Sequence, residues 1–205
     1  MSDNCQPWVL SDEEHNLWKI CVELCELSYD DTNPNFINKH HKRFGLIKKD
    51  NKNFLVFRGT ANFQNVLTDI NIFPSKSKCG YLIHKGFGEA EEDLFADVVD
   101  LIKGQEHIPL YITGHSLGGA LALLFAEYFK VPTITFGCPK VHFRFGSSPN
   151  VNHTRIVCDD DPVPMLLKIL FIHKSDDRVL CDHDGEIVNS KDHGIAVYKK
   201  RIYEI

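Results

Sequence analysis

The residues best suited to chemistry stand together at Gly114-His115-Ser116-Leu117-Gly118, a G-x-S-x-G run. It follows the β-type segment Leu110-Tyr111-Ile112-Thr113 and precedes a mostly apolar helical stretch, Ala120 to Phe129. A serine in such a strand-to-helix turn is lifted off the end of a sheet, and the flanking glycines admit backbone where a side chain would collide. Ser116 is the candidate nucleophile for acyl transfer, and the amide of Leu117, the next residue, is a candidate oxyanion donor. The hydroxyl needs a base to take its proton and an acid to orient that base. When a serine sits in an elbow of this kind, the acid and then the histidine follow it along the chain.

Downstream histidines are His142, His153, His173, His183 and His193. His173 lies in an apolar strand-like run and reads as a core residue, and His183, between Asp182 and Asp184, reads as solvated. His193 stands beside Gly194 at the start of the last helical pattern, in a loop able to swing over the serine. His115 adjoins the nucleophile, so its side chain is directed elsewhere and a structural role is expected. For the acid there is the run Asp159-Asp160-Asp161, at the end of the β-type segment Arg155 to Cys158. Three adjacent carboxylates cannot all be buried. One is expected to pair with an imidazole while the other two face solvent or cap the turn. Asp176 and Asp177 are weaker substitutes.

The elements that must position these groups read as an α/β pattern. Ser11-Asp12-Glu13-Glu14 is a capping box, and Leu17, Ile20, Leu24 and Leu27 recur behind it at helical spacing. Phe44 to Ile47 and Phe54 to Phe57 read as strands of a hairpin across a turn-rich spacer. Residues Gly59 to Cys79 lack a clean period and suit a mobile, partly helical loop. Phe87, Ala90, Leu94, Val98 and Leu101 mark a second long helix, closed by Lys103-Gly104. Thr133 to Phe136 and Arg155 to Cys158 repeat the strand-into-loop pattern of a parallel sheet. Short strands are expected at Leu170 to His173, Arg178 to Cys181 and Glu186 to Val188, and a terminal helix over His193 to Lys200. No repeat, linker or second domain is visible.

Composition excludes several classes. The chain has 205 residues, 43% hydrophobic and 25% charged, with 28 acidic against 23 basic side chains and a formal charge of -5. A domain of this size buries roughly 70% of its unfolded surface and stands without staples. No long basic run collects phosphates, so nucleic acid is not an expected partner. No apolar stretch reaches the length of a transmembrane segment, and Met1-Ser2-Asp3-Asn4-Cys5 lacks the charged and apolar regions of a signal peptide; an intracellular, cytoplasmic setting is expected. The seven cysteines form no CxxC pair and no ligand-spaced block, so neither a metal nor another cofactor is expected. Cys21 and Cys25 read as small apolar filler.

The chain resembles the class 3 lipases, the filamentous-fungal triacylglycerol lipase family of the α/β-hydrolase fold. The resemblance rests on Phe57-Arg58-Gly59-Thr60, His84-Lys85-Gly86-Phe87, the run Thr113 to Ala122 around the serine, Thr135-Phe136-Gly137 and Asp161-Pro162-Val163-Pro164, in the family's order. It implies one α/β-hydrolase domain over residues 1–205, with a mostly parallel central sheet, helices on both faces and a short lid. It singles out Asp161 as the acid and His193 as the base of Ser116. It implies Thr60 as the second oxyanion donor, Asp69 as its support, and a lid bearing Phe63, Val66 and Leu67; Arg58 and His84 read as structural ties. An aromatic of the fungal lid is replaced by Val66, and the loops after Ser116 are short, which implies a shallow cleft.

The function expected is serine ester hydrolysis of acyl lipids, with transient contact at a lipid surface. Phospholipase A1-type cleavage and acyl transfer to an alcohol use the same groups. A non-catalytic lipid-binding or interaction module on this fold would not require the complete set. The oligomeric state is left open.

Overall fold

The chain leaves its first helix in an orientation set by a cap at one end and a buried stripe along one side. In the computed structural model, which describes residues 10–60, 73–147, 149–165, 171–172, 175–180 and 193–205, helix α1 spans Asp12–Leu27. The Ser11 hydroxyl accepts from the Glu14 amide and Glu14 reaches back to the Ser11 amide, so the capping box forms as read. Its buried side carries Trp18, Ile20, Cys21, Val22, Leu24 and Cys25, with Leu17 packed against the same core, so the helical spacing holds as read except at Leu27, which is exposed. Burial pushes the Cys25 thiol up to about 12, the behaviour of apolar filler.

Three antiparallel strands follow, β1 (Ile37–Lys39), β2 (Lys42–Lys49) and β3 (Lys52–Phe57). Asp50 and Asn51 turn the β2–β3 hairpin with φ 52 and 58, conformations their short polar side chains tolerate. The β2–β3 strands extend well into the lysine-rich spacer, and β1 occupies a stretch too polar to read as a strand. Strands β6 (Leu110–His115), β7 (Thr133–Phe136), β9 (His153–Cys158) and β11 (Asp176–Leu180) then add in parallel to β3, giving the order β1-β2-β3-β6-β7-β9-β11. On β3, Phe54 and Val56 enter the core beneath α1 and the terminal helix α4 (Ile195–Glu204). Leu55 and Phe57 enter the core beneath α2 (Lys85–Ile102) and α3 (Leu117–Phe129). A strand covered on both faces reads as continuous apolar residues. Phe57 stacks on Phe125 at 5.0 Å, and burial of one such ring is worth roughly 1.5–3 kcal/mol.

A second, antiparallel sheet, β10-β8-β5-β4, was not apparent from the sequence; its strands are β4 (Pro74–Lys76), β5 (Leu82–His84), β8 (His142–Phe143) and β10 (Phe171–Ile172). Part of it lies in the stretch expected to be a loop. The expected strand Glu186 to Val188 lies outside the described residues. Among the described residues no helix is long and apolar enough to cross a membrane.

Candidate active site

Strand β6 ends at His115 and α3 begins at Leu117, which leaves Ser116 alone to reverse the chain, at φ 58 and ψ -128. A non-glycine residue there is strained and is held only by its surroundings. Gly118 is one reason it can be: a Cβ on it would lie 2.2 Å from the Phe57 carbonyl oxygen, so only glycine lets α3 start against β3. The Ser116 amide donates to the Phe136 carbonyl at 2.9 Å. Its hydroxyl is buried and makes no hydrogen bond among the described residues.

The candidate acid, Asp161, comes from the turn after β9. Asp161 is 1% exposed, and its Oδ1 accepts from the Val163 amide at 2.8 Å. Its Oδ2 faces Nδ1 of His193 at 2.7 Å and accepts from the Tyr198 hydroxyl at 2.5 Å. An ionised carboxylate only accepts, so Nδ1 carries the imidazole proton and Nε2 keeps its lone pair. The pair rests on Gly137, whose φ is +56; a Cβ there would lie 2.9 Å from Cε1 of His193 and 3.0 Å from Oδ2 of Asp161. Gly137 thus has both the backbone conformation and the empty space that only glycine provides.

Helix α4 sets the carboxylates through two side chains one turn apart. Tyr198 holds Asp161, and Arg201 grips Asp160 through both oxygens at 2.8 and 2.5 Å. Asp160 is therefore buried and paired, not the solvated turn residue expected, whereas Asp159 is exposed as read. The Tyr198 hydroxyl also accepts from the Cys158 amide at 3.2 Å, and burial keeps its pKa well above the usual phenol value.

His115 has a partner on each nitrogen. Nε2 lies 2.7 Å from the backbone carbonyl of His193, so it must be the donor there, and Nδ1 accepts from the Tyr29 hydroxyl at 2.8 Å. Burial, then the nearby His193, pushes its pKa down to about 3, so the ring is neutral. The residue before the candidate nucleophile thus ties down the loop that carries His193, a role that chain order alone does not reveal.

Thr60 is exposed just beyond β3, in line with the Ser116 turn because Phe57 pairs with Gly114. Leu117 opens α3, where the first amides have no intrahelical acceptor. Arg58 pairs with Asp31 and lies over the Tyr29 ring, and His84 caps α2 by accepting from the Gly86 amide, so both are structural ties as read. His153 contacts the Thr135 hydroxyl and His142 faces Glu127 at 2.8 Å, each away from Asp161. Asp177 pairs with Arg155. Asp69, the lid residues Phe63, Val66 and Leu67, and the alternatives His173 and His183 lie outside the described residues. Among the described residues no group of three or more His, Cys, Asp or Glu is placed to hold a metal ion.

Residues 54–171, more than half of the chain, match the family described as lipase (class 3). The chain belongs to the class 3 lipase family. It is 30% identical over 157 residues to a lipase of Rhizomucor miehei, an alignment covering 66% of this chain and 43% of that protein. It is 33% identical over 132 residues to the secreted mono- and diacylglycerol lipase 1 of Fusarium solani, covering 56% and 39%. This family member spans less than half the length of these curated relatives. The solved triacylglyceride lipase of Rhizomucor miehei superposes with a TM-score of 0.72 at 20% identity, over 90% of this chain and 94% of that one, which shows the shared α/β-hydrolase fold.

Proposed function

We propose that this class 3 lipase is a serine carboxylic-ester hydrolase acting on acyl lipids. In this reading Ser116 attacks the acyl carbonyl, Nε2 of His193 takes its proton, and Asp161 holds the imidazole and stabilises its charged form. The proton then passes to the leaving alcohol, and water activated by the same histidine releases the acid from Ser116. The amides of Leu117 and Thr60 receive the developing oxyanion, each donor worth roughly 3 kcal/mol.

The observation that carries the proposal is the buried His193–Asp161 contact at 2.7 Å, beside the strained turn of Ser116. Three donors converge on one carboxylate, an arrangement that supports a fixed, ionised acid better than a core polar contact does. A non-catalytic module has no need of a strained serine. Among the relatives are a mono- and diacylglycerol lipase and a triacylglyceride lipase, which supports acyl glycerols as the substrate class. Acyl transfer differs only in replacing water by an alcohol.

The test is a chain-length series of p-nitrophenyl esters with a triacylglycerol and a phosphatidylcholine, read for rate and product. Free acid as the product, abolished in Ser116→Ala, is the expected outcome; turnover that survives in the variant contradicts the proposal.

A further inference from the structure

Beside the oxyanion segment lies a cleft of about 460 Å³, lined by residues 38–43 of the β1–β2 hairpin and by Arg58, Gly59 and Thr60. That volume is within the range of small-molecule sites. Among the residues lining it are Lys39, Lys42, Arg43 and Arg58, two histidines and no carboxylate, in a chain whose net charge is -5. The basic lining therefore runs against the composition of the molecule.

The charges are built in from below. Arg43 is 4% exposed, and one of its terminal nitrogens donates to the carbonyls of Asp30 and Asn33, both at 2.9 Å. Among the described residues it has no carboxylate within ion-pair range, and its buried Nε has no hydrogen-bond partner. Its charge is met only in part, by the Phe36 ring at 5.4 Å and by the Asp30 carboxyl, which it helps to hold below the usual carboxylate range from beyond ion-pair distance, and an anion in the adjoining cleft would add to that compensation. Lys42 likewise has no ion-pair partner among the described residues. The remaining pairs lie on the rim. Lys39 and His40 reach Asp97 only at 3.6 and 4.0 Å, weak pairs that an incoming anion can displace, and Arg58 stays tied to Asp31, whose own 72% exposure leaves that charge screened by solvent.

The hairpin tip brings two more nitrogen-bearing rings to the cleft. His40 and His41 are its two turn residues, at φ 47 and 59, while the neighbouring hairpin uses Asp50 and Asn51 for the same job. Histidine, like Asn and Asp, is enriched in left-handed backbone, so both tips form regular tight turns, and only this one carries imidazoles. Here they line the cleft. Its inner end is close to the nucleophile, since a Cβ on Gly59 would lie 3.1 Å from Cβ of Ser116.

We propose that this cleft is the subsite for a phosphate group on the alcohol side of the substrate, so that the preferred ester is an acyl glycerol phosphate. This rests on the reading of Ser116 as the nucleophile. A phosphate ester fits better than a neutral glycerol because it supplies the missing negative charge and accepts hydrogen bonds from guanidinium and ammonium groups together. It also fits the placement, because Thr60 lies at the boundary between the cleft and the site of acyl attack.

The experiment compares dihexanoyl phosphatidic acid with dihexanoylglycerol, both as monomers, in kcat/KM, and separately measures binding of the phosphatidic acid to Ser116→Ala by calorimetry. The protein should favour the phosphatidic acid. Lys42→Glu should reduce that preference, and the calorimetric affinity, by about tenfold or more, as a charge reversal beside a bound anion demands. Lys42→Arg should keep both. A preference and affinity that Lys42→Glu leaves unchanged overturn the subsite even if both esters are cleaved. Absence of cleavage of both esters overturns the reading of Ser116, while calorimetry still decides whether the cleft binds the phosphate. Inorganic phosphate that binds as tightly as the phosphatidic acid would make the cleft a free-anion site and overturn its role in substrate selection.

Discussion

His115 donates from Nε2 to the backbone carbonyl of His193 at 2.7 Å, joining the residue before the proposed nucleophile to its proposed base. The two rings lie 4.7 Å apart, and Tyr29 fixes the far side of His115 at 2.8 Å. The end of α1 is thereby linked, through one neutral imidazole, to the loop that precedes α4.

Tyr29→Phe removes the donor to Nδ1 of His115 and leaves a buried acceptor unsatisfied, a cost of roughly 1–3 kcal/mol. The outcome expected is a lower kcat with KM for a short soluble ester little changed, because the loop of His193 loses its support while the ester pocket keeps its walls. Steady-state kinetics check this. A rise in KM at constant kcat would show that Tyr29 serves binding instead.

Gly137→Ala places a methyl group within 2.9 Å of Cε1 of His193. Displacing the imidazole by about an ångström should cost about 100-fold in kcat. Thermal unfolding and kcat measured on the same preparation separate this from misfolding: the variant should stay folded and lose turnover.

Tyr198→Phe deletes the hydroxyl that donates to Asp161 at 2.5 Å and accepts from the Cys158 amide. A hydrogen bond to a charged group is worth roughly 1.5–3 kcal/mol, so stability should fall by about that much and kcat by about tenfold. Denaturant titration and initial rates are the measurements, and a variant with wild-type values for both would refute the role given to this tyrosine.

Acid should destabilise the fold. His84, His115 and His153 are buried, and burial pushes their pKa values down to about 4, 3 and 3. The unfolded chain protonates these residues near pH 6.5, so the stability they contribute is present above that pH and is lost as pH falls toward 4. Burial raises Glu91 to about 7 and also raises Glu127, and these act in the opposite sense until pH falls to about 4.5. Three histidines against two carboxyls leave a net loss, each histidine costing up to about 2 kcal/mol at pH 5. The denaturant midpoint should be lower at pH 5 than at pH 7.5, and His153→Gln should narrow the gap.

The elbow around Ser116 was legible because its glycines, strand and helix are neighbours in sequence. Asp161 was harder to distinguish from Asp159 and Asp160 by residue type, since what separates them is partner choice. Tyr198 and Arg201 make that choice, and they stand 37 and 41 residues away. Asp160 therefore read as solvated, although Arg201 buries it. Tyr198 reads as an ordinary core position of an amphipathic helix, and nothing local marks its hydroxyl as an acid's partner. The second sheet is not legible in the sequence because its strands of two or three residues are too short to show alternation. The basic cleft was hidden for a related reason: Arg58 and the β1–β2 hairpin meet only when β2 pairs with β3.

The central claim is that Ser116, His193 and Asp161 act as one unit, and labelling with a fluorophosphonate followed by peptide mapping tests it most directly. One adduct is expected, on Ser116, with its rate of formation reduced about 10³-fold in His193→Ala, because the serine then lacks its base. An adduct on another serine, or a labelling rate unchanged in His193→Ala, would contradict the account.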